Sequence, residues 1–253
     1  MDFSNKYVLG FALIICMACS ALVSATAVAL KEQQDANKLL DQQRQVIRVA
    51  GLAAEDDPLP QTEVDRIFQE IEGRVIDRET GEYLDIDVTA VDPLKEAKKP
   101  DLSVATPAEF KAAQVSRLSN RLEVFEIKVP GKECIVLPIH GKGLWSTMYG
   151  YLALKRDLSK VVGITFYEHG ETPGLGGEID NKGWKKQWRE RSVFEGNEVK
   201  LGVVKASAPR DKEYQVDGLS GATITTKGVD ATIKLWLGPA GYGPYLKKVK
   251  GES

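Results

Sequence analysis

Residues 160–179 read KVVGITFYEHGETPGLGGEI, and the change of character at residue 169 decides the fold. Residues 160–168 are largely apolar, β-branched or aromatic, the composition of a strand packed in a sheet. The next eleven hold four glycines and Pro173, which demand an irregular loop. Upstream, Leu122, Val124 and Glu126 alternate with Glu123, Phe125 and Ile127, and residues 133–139 and 148–154 are apolar and β-prone. With few helices between these strands, the reading is an α+β domain built on a mainly antiparallel sheet. Downstream, Asp217-Gly218 signals a turn, and residues 224–237 carry Val229, Ile233, Trp236 and Leu237 at the spacing of a helix packed on a core.

The first half of the chain is more varied. Residues 73–87 resemble a hairpin whose turn includes Gly81. Residues 92–100, charged and bounded by prolines, read as a surface loop. Thr106-Pro107-Ala108-Glu109 carries the N-cap, N1 and N3 residues of a helix start, and that helix is predicted to end before Arg121. Residues 62–71 suit a short helix with Val64, Ile67, Phe68 and Ile71 on its apolar face. Residues 184–191, WKKQWRER, suit a short basic helix. Its two tryptophans either anchor it on the core or form a docking surface.

Residues 8–30 contain 23 positions without one charge. A helix of that length spans roughly 35 Å at ~1.5 Å per residue, enough to cross a bilayer. A secretory signal peptide is the competitor, with Ala25-Thr26-Ala27 as its cleavage site, but its apolar region is usually about 7–15 residues. The expected organisation is a short tail (1–7), a single transmembrane helix (8–30), an amphipathic connecting helix (31–52), a helical and hairpin elaboration (53–120) and the core (121–253). Charged residues make up 28% and the net charge is −2, so nothing points to nucleic acid. Cys16 and Cys19 lie inside the span, Cys134 stands alone in a predicted strand, and two histidines make no metal cluster, so no metal is expected.

Three segments carry chemistry. Ser220, Gly221 and Ala222 let another molecule approach the backbone closely, and Thr223 places a hydroxyl where a helix N-terminus offers unpaired N–H groups to an anion. An N-capping turn is the simpler alternative. The loop around Glu171, Thr172, Gly174, Leu175 and Gly176 can cradle an anion or a flat ligand, or merely connect strands. Gly174-Leu175-Gly176 lacks the third glycine of a dinucleotide fingerprint. Gly143-Leu144-Trp145-Ser146 presents an indole between polar, glycine-flanked positions, where Trp145 either stacks on a ligand or fills the core.

The Asp217–Thr223 segment resembles the flavinylation motif of bacterial membrane redox subunits, an Asp followed by Ser/Thr-Gly-Ala-Thr. In that family the last Thr carries FMN through a phosphoester. Glu171-Thr172-Pro173-Gly174-Leu175-Gly176 resembles a second motif of the same family, which borders the FMN. With residues 48–52, the Gly-Lys-Gly-Leu-Trp segment and the tail 236–244, nearly the whole chain is similar to the C subunits of sodium-translocating NADH:quinone oxidoreductases. The related G subunits of ferredoxin:NAD complexes share the flavin motifs but are generally shorter, and a non-redox membrane-anchored binding module is a third reading.

The resemblance implies covalent FMN on Thr223, not on Thr225 or Thr226. Asp217, Ser220, Gly221, Ala222, Trp145, Glu171, Thr172, Gly174, Leu175 and Gly176 would line the cofactor. Asp217 would position the acceptor hydroxyl, or else cap the turn. It further implies a one-electron relay among other subunits of a membrane redox complex, matured by a separate flavin transferase. The anchor would be a single pass through the bacterial inner membrane, with the soluble domain in the periplasm and no catalytic site of its own.

Overall fold

The computed structural model describes residues 4–205 and 209–251 and divides into two compact units, Met1–Gln42 and Gln43–Ser253. The first unit is made by helix α1 (Asn5–Val49), whose last turns belong to the second. Its apolar stretch has a mean hydropathy of 2.4 and buries none of its surface within the protein. Leu9, Phe11, Ile14, Leu22 and Val28 all stand exposed. An α-helix satisfies its own backbone hydrogen bonds, and apolar side chains all round it suit hydrocarbon as their surroundings. The helix fits a single-pass membrane anchor. It runs without a break through residues 31–42.

In the second unit the end of α1 turns amphipathic. Val46, Ile47 and Val49 are buried, and Gly51 follows at φ +71°, the left-handed conformation that commonly stops a helix. Helix α2 (Gln61–Phe68) then leads into strands β1 (Ile71–Asp77) and β2 (Tyr83–Leu84), joined through Gly81 at φ +70°.

Two expectations fail in the next stretch. The predicted surface loop at residues 92–100 contains helix α3 (Pro93–Glu96), because the Asp92 side chain accepts from Lys95 N and Pro93 sits at the first turn. Glu96 is 6% exposed and turns inward onto Ser119 Oγ, at 2.8 Å, and Arg121. The helix predicted from Thr106 is only a 3₁₀ segment, Ala108–Ala113, without a side-chain cap and ended by Gln114 at φ 51°. Residues beyond it form β4 (Arg117–Ser119), paired with β3 (Ser103–Ala105). Burial of Leu118 and Val115 in the core outweighs the local capping signal.

Strands β5 (Arg121–Ile127), β6 (Cys134–Lys142), β7 (Thr147–Lys155) and β8 (Val161–Glu168) follow as a meander. With the first hairpin they form one six-stranded antiparallel sheet in the order β2-β1-β5-β6-β7-β8. Beyond the sheet lie α4 (Lys182–Lys186), the short strands β9 (Phe194–Glu195), β10 (Glu198–Val199), β11 (Gly202–Val204) and β12 (Gln215–Asp217), then α5 (Thr223–Leu237) and α6 (Gly243–Val249). Strands β11 and β12 pair in parallel, so the architecture is α+β with a mainly antiparallel sheet.

Helix α5 packs across β6 and fills the core. Val229, Ile233, Trp236 and Leu237 join Leu137, Ile139, Met148, Leu152 and Phe166 in one buried cluster. Trp184 and Trp188, 6% and 0% exposed, belong to it too, so the tryptophans of the basic helix are anchors. Helix α5 and the end of β6 lie backbone to backbone at Gly228, where a Cβ would stand 2.2 Å from Lys142 O. Gly228→Ala must therefore push α5 from the strand, and overpacking of this kind costs about 1–3 kcal/mol. Thermal unfolding of the variant is expected to show a lower Tm; an unchanged Tm would mean that the interface yields freely.

Candidate functional site

One carboxylate organises the region where the β6–β7 turn, the loop after β8 and the start of α5 meet. Glu171 is 5% exposed. Its Oε1 accepts from Trp145 N at 2.9 Å and Ser146 N at 3.1 Å, and its Oε2 accepts from Leu144 N at 3.1 Å and from the Thr225 hydroxyl at 2.5 Å. Burial pushes the pKa up, but the Thr225 hydroxyl and the three N–H groups outweigh it and hold the carboxyl below its ordinary range. Glycines make room for it. A Cβ on Gly143 would come within 2.6 Å of Oε1, and one on Gly176 within 2.7 Å of both Oε2 and Thr225 Oγ1.

The loop is braced further. Gly170 N donates to Ser146 Oγ at 2.6 Å, and Glu171 N donates to His169 Nδ1 at 3.1 Å. His169 Nε2 lies 2.7 Å from Asp180 Oδ2. An imidazole accepting at Nδ1 carries its proton on Nε2, so it donates to Asp180. Thr172 is exposed, and its carbonyl accepts from Leu175 N and Gly177 N. Gly174 takes φ +76° between them, a conformation that suits glycine.

Thr223 is the first residue of α5 and is exposed. The residue before it, Ala222, offers no side-chain cap, so the leading N–H groups of the helix are open to an external acceptor. The N-capping role considered for Ser220 or Thr223 is not taken up. The hydroxyl spent on local structure is Thr226 Oγ1, which accepts from Leu219 N at 3.0 Å. Gly221, at φ +73°, lies against Leu175, whose Cδ2 would be 3.0 Å from a Cβ there. Ser220, Gly221, Thr223, Thr226, Lys205 and Lys227 border a groove of about 440 Å³. Lys227 stands one helical turn after Thr223 on the same face. The open helix end and two lysines suit a phosphate.

Beside the anion seat the surface is apolar. Leu144, Trp145, Leu175 and Ile224 are 45%, 66%, 45% and 53% exposed, so Trp145 is no core residue. Its indole is displayed by a turn whose backbone Glu171 holds. A flat, largely apolar ring system attached to a phosphate fits this combination of hydroxyl, cations and exposed apolar side chains.

Not every residue singled out from the sequence converges here. Glu171 faces inward with both oxygens engaged and positions the turn. The Asp217 carboxylate pairs with Arg210 at 2.7 Å, its carbonyl accepts from Trp184 Nε1 at 2.7 Å, and its N–H donates to Gln187 Oε1 at 3.1 Å. Sequence reasoning passed over Thr225, Lys205, Lys227 and Ile224. Thr225 has a detectable signal, since it shares the 3–4 spacing of Val229, Thr232, Ile233 and Trp236, the buried face of α5. Among the described residues no group of three or more His, Cys, Asp or Glu is placed to hold a metal.

Residues 143–238, which contain all three segments of the site, match the FMN-binding domain family. The C subunit of the Na(+)-translocating NADH-quinone reductase of Vibrio vulnificus (strain YJ016) is 42% identical over 249 residues, 98% of this chain and 96% of that protein. The C subunit from Pseudomonas aeruginosa is also 42% identical, over 96% of this chain and 95% of its own length. The crystal structure of Shewanella oneidensis NqrC superposes with a TM-score of 0.73 at 31% identity, covering 83% of this chain and 97% of that one. That of the C subunit from Parabacteroides distasonis gives 0.67 at 28%, covering 86% and 96%. The fold and site therefore define an FMN-binding protein. The chain belongs to the family of C subunits of the Na(+)-translocating NADH-quinone reductase.

Proposed function

We propose that this chain carries FMN, joined through a phosphoester to Thr223 Oγ1, as a one-electron relay in a sodium-pumping NADH:quinone oxidoreductase of the bacterial inner membrane. The observation that carries the reading is an exposed Thr223 at an uncapped helix start, on the rim of a lysine-bordered groove. Thr223 supplies the ester oxygen. The first N–H groups of α5 and the ammonium of Lys227 face the remaining phosphate charge. Ser220 and Gly221 leave the approach open. Trp145, Leu144, Leu175 and Ile224 offer apolar cover for the ring, with Thr172 exposed at the same loop for its polar edge. Glu171 sets the positions of Trp145 and of the loop. When bound, FMN supplies the redox chemistry, taking up electrons singly or in pairs.

The tether removes dissociation, which matters for a cofactor held outside the cytoplasm. The proposed site of the soluble domain is the periplasm, with residues 8–30 as the anchor that keeps it near partner subunits and raises their effective concentration. NADH and quinone are handled by those other subunits. A separate flavin transferase installs the flavin, and Asp217, locked to Arg210, shapes the turn that this enzyme meets.

Visible absorption of the purified chain after denaturation is the direct test, because only covalent flavin stays with the polypeptide. Mass spectrometry is expected to find the adduct on the peptide containing Thr223. Flavin released on denaturation, or an adduct at Thr225 or Thr226, would overturn the assignment. Trp145→Ala is expected to leave attachment and Tm unchanged, since the side chain is 66% exposed, but to shift the visible spectrum or midpoint potential of the bound flavin. An unaltered spectrum and potential would remove Trp145 from the site.

A further inference from the structure

The basic helix around α4 is the part of the chain that the flavin reading leaves unused. Trp184 and Trp188, their rings 5.5 Å apart and edge to face, bind it to the core. Its cations Lys182, Lys185, Lys186 and Arg189, with Arg48 and Glu55, surround a cavity of about 50 Å³ against Ile164 and Thr165 of β8. The charges do not cancel. Lys182 pairs with Asp56 and Lys185 with Glu55. Arg48 Nη2 donates to the Asp57 carbonyl at 3.1 Å, with the Asp56 carboxylate nearby. Lys186 and Arg189 are exposed and form no ion pair among the described residues. Arg48 Nε is buried without any hydrogen-bond partner. A guanidinium N–H left this way is a standing cost to the fold.

We infer that this cavity receives a carboxylate side chain of another subunit and is a docking point of the chain within its membrane complex. The identity of that complex rests on the proposed function. Charge selects the occupant: Lys182, Lys185, Lys186, Arg189 and Arg48 gather here against the carboxylates of Glu55 and Asp56, and a cavity of about 50 Å³ has room for a small acidic group. The chemistry agrees. Arg48 is among the lining residues, and the two unpaired cations Lys186 and Arg189 are exposed there to draw an acidic surface in.

The test is Lys186→Glu with Arg189→Glu in the full-length chain, expressed with its partner subunits. The complex is solubilised in detergent and washed at increasing NaCl. The variant chain is expected to leave at lower salt, with roughly tenfold weaker retention, and the Lys186→Gln, Arg189→Gln pair is expected to fall between. Tm and covalent flavin per chain stay at the parent values, because both side chains are exposed and unpaired. Equal retention at every salt concentration overturns the inference. So does a loss that appears only in anionic phospholipid vesicles and not in delipidated detergent, which would assign the cavity to lipid. A parent chain without covalent flavin would defeat the FMN reading and leave the retention result standing.

Discussion

Thr223→Ala is expected to yield a folded chain with no covalent flavin. The side chain is exposed at the first position of α5 and makes no capping bond, so its hydroxyl contributes little to the fold. Alanine is also a better helix former than threonine, and the Tm should move by no more than a degree or two. The effect on attachment is all or none, because a methyl group has no oxygen to esterify. Thr223→Ser, which keeps the oxygen, separates chemistry from shape and should retain some flavin. The check is in-gel fluorescence and visible absorption of denatured protein beside circular dichroism of the folded form. Undiminished flavin in the alanine variant sinks the assignment. A variant that fails to fold shows instead that Thr223 is structural.

Glu171→Ala should cost the most stability of any single change at the site. It strips the acceptor from three backbone N–H groups and from Thr225 Oγ1. Water entering the space recovers part of the loss, leaving roughly 3 kcal/mol, or a fall in Tm of roughly 6–12 °C. The turn bearing Trp145 loosens, so the flavin spectrum should change as well. Glu171→Gln keeps the shape but turns an NH₂ group toward backbone donors, and should be intermediate. The pH dependence has a definite sign. The folded carboxyl is held below its ordinary range, so it contributes stability that is present above the unfolded value of about 4.3 and is lost as pH falls through the folded one. The alanine variant should accordingly lose less stability between neutral pH and acid than the parent. Parallel stability–pH curves for the two would show that Glu171 is not the organising carboxylate.

The basic helix shows how a local reading divides. Two tryptophans four apart among cations fit either core anchors or a partner surface. Burial of Trp184 and Trp188 makes them anchors, while Lys182, Lys186 and Arg189 stay exposed. Local signals could not choose, because the choice depends on which surface happens to lie beneath.

Much of the fold follows from local rules. The 23 uncharged residues at positions 8–30, the alternation through residues 122–127 and the 3–4 spacing from Val229 to Leu237 set helix and strand by periodicity. Glycine and proline then set where the site's loops must lie. Periodicity is a property of neighbours in sequence, so it survives without tertiary information. Residues 106–119 are the counter-example: a good helix start gives way to a 3₁₀ turn and a strand, because pairing with β3 and burial of Leu118 offer more than one cap. The site was legible as motifs, with Thr223 and the glycine loop marked, but its organisation was not. Only the folded chain brings Glu171 to Thr225, 54 residues away, aims Trp145 outward and leaves the start of α5 uncapped. These are long-range juxtapositions, decided by where the sheet and α5 meet, and spacing along the sequence carries no trace of them.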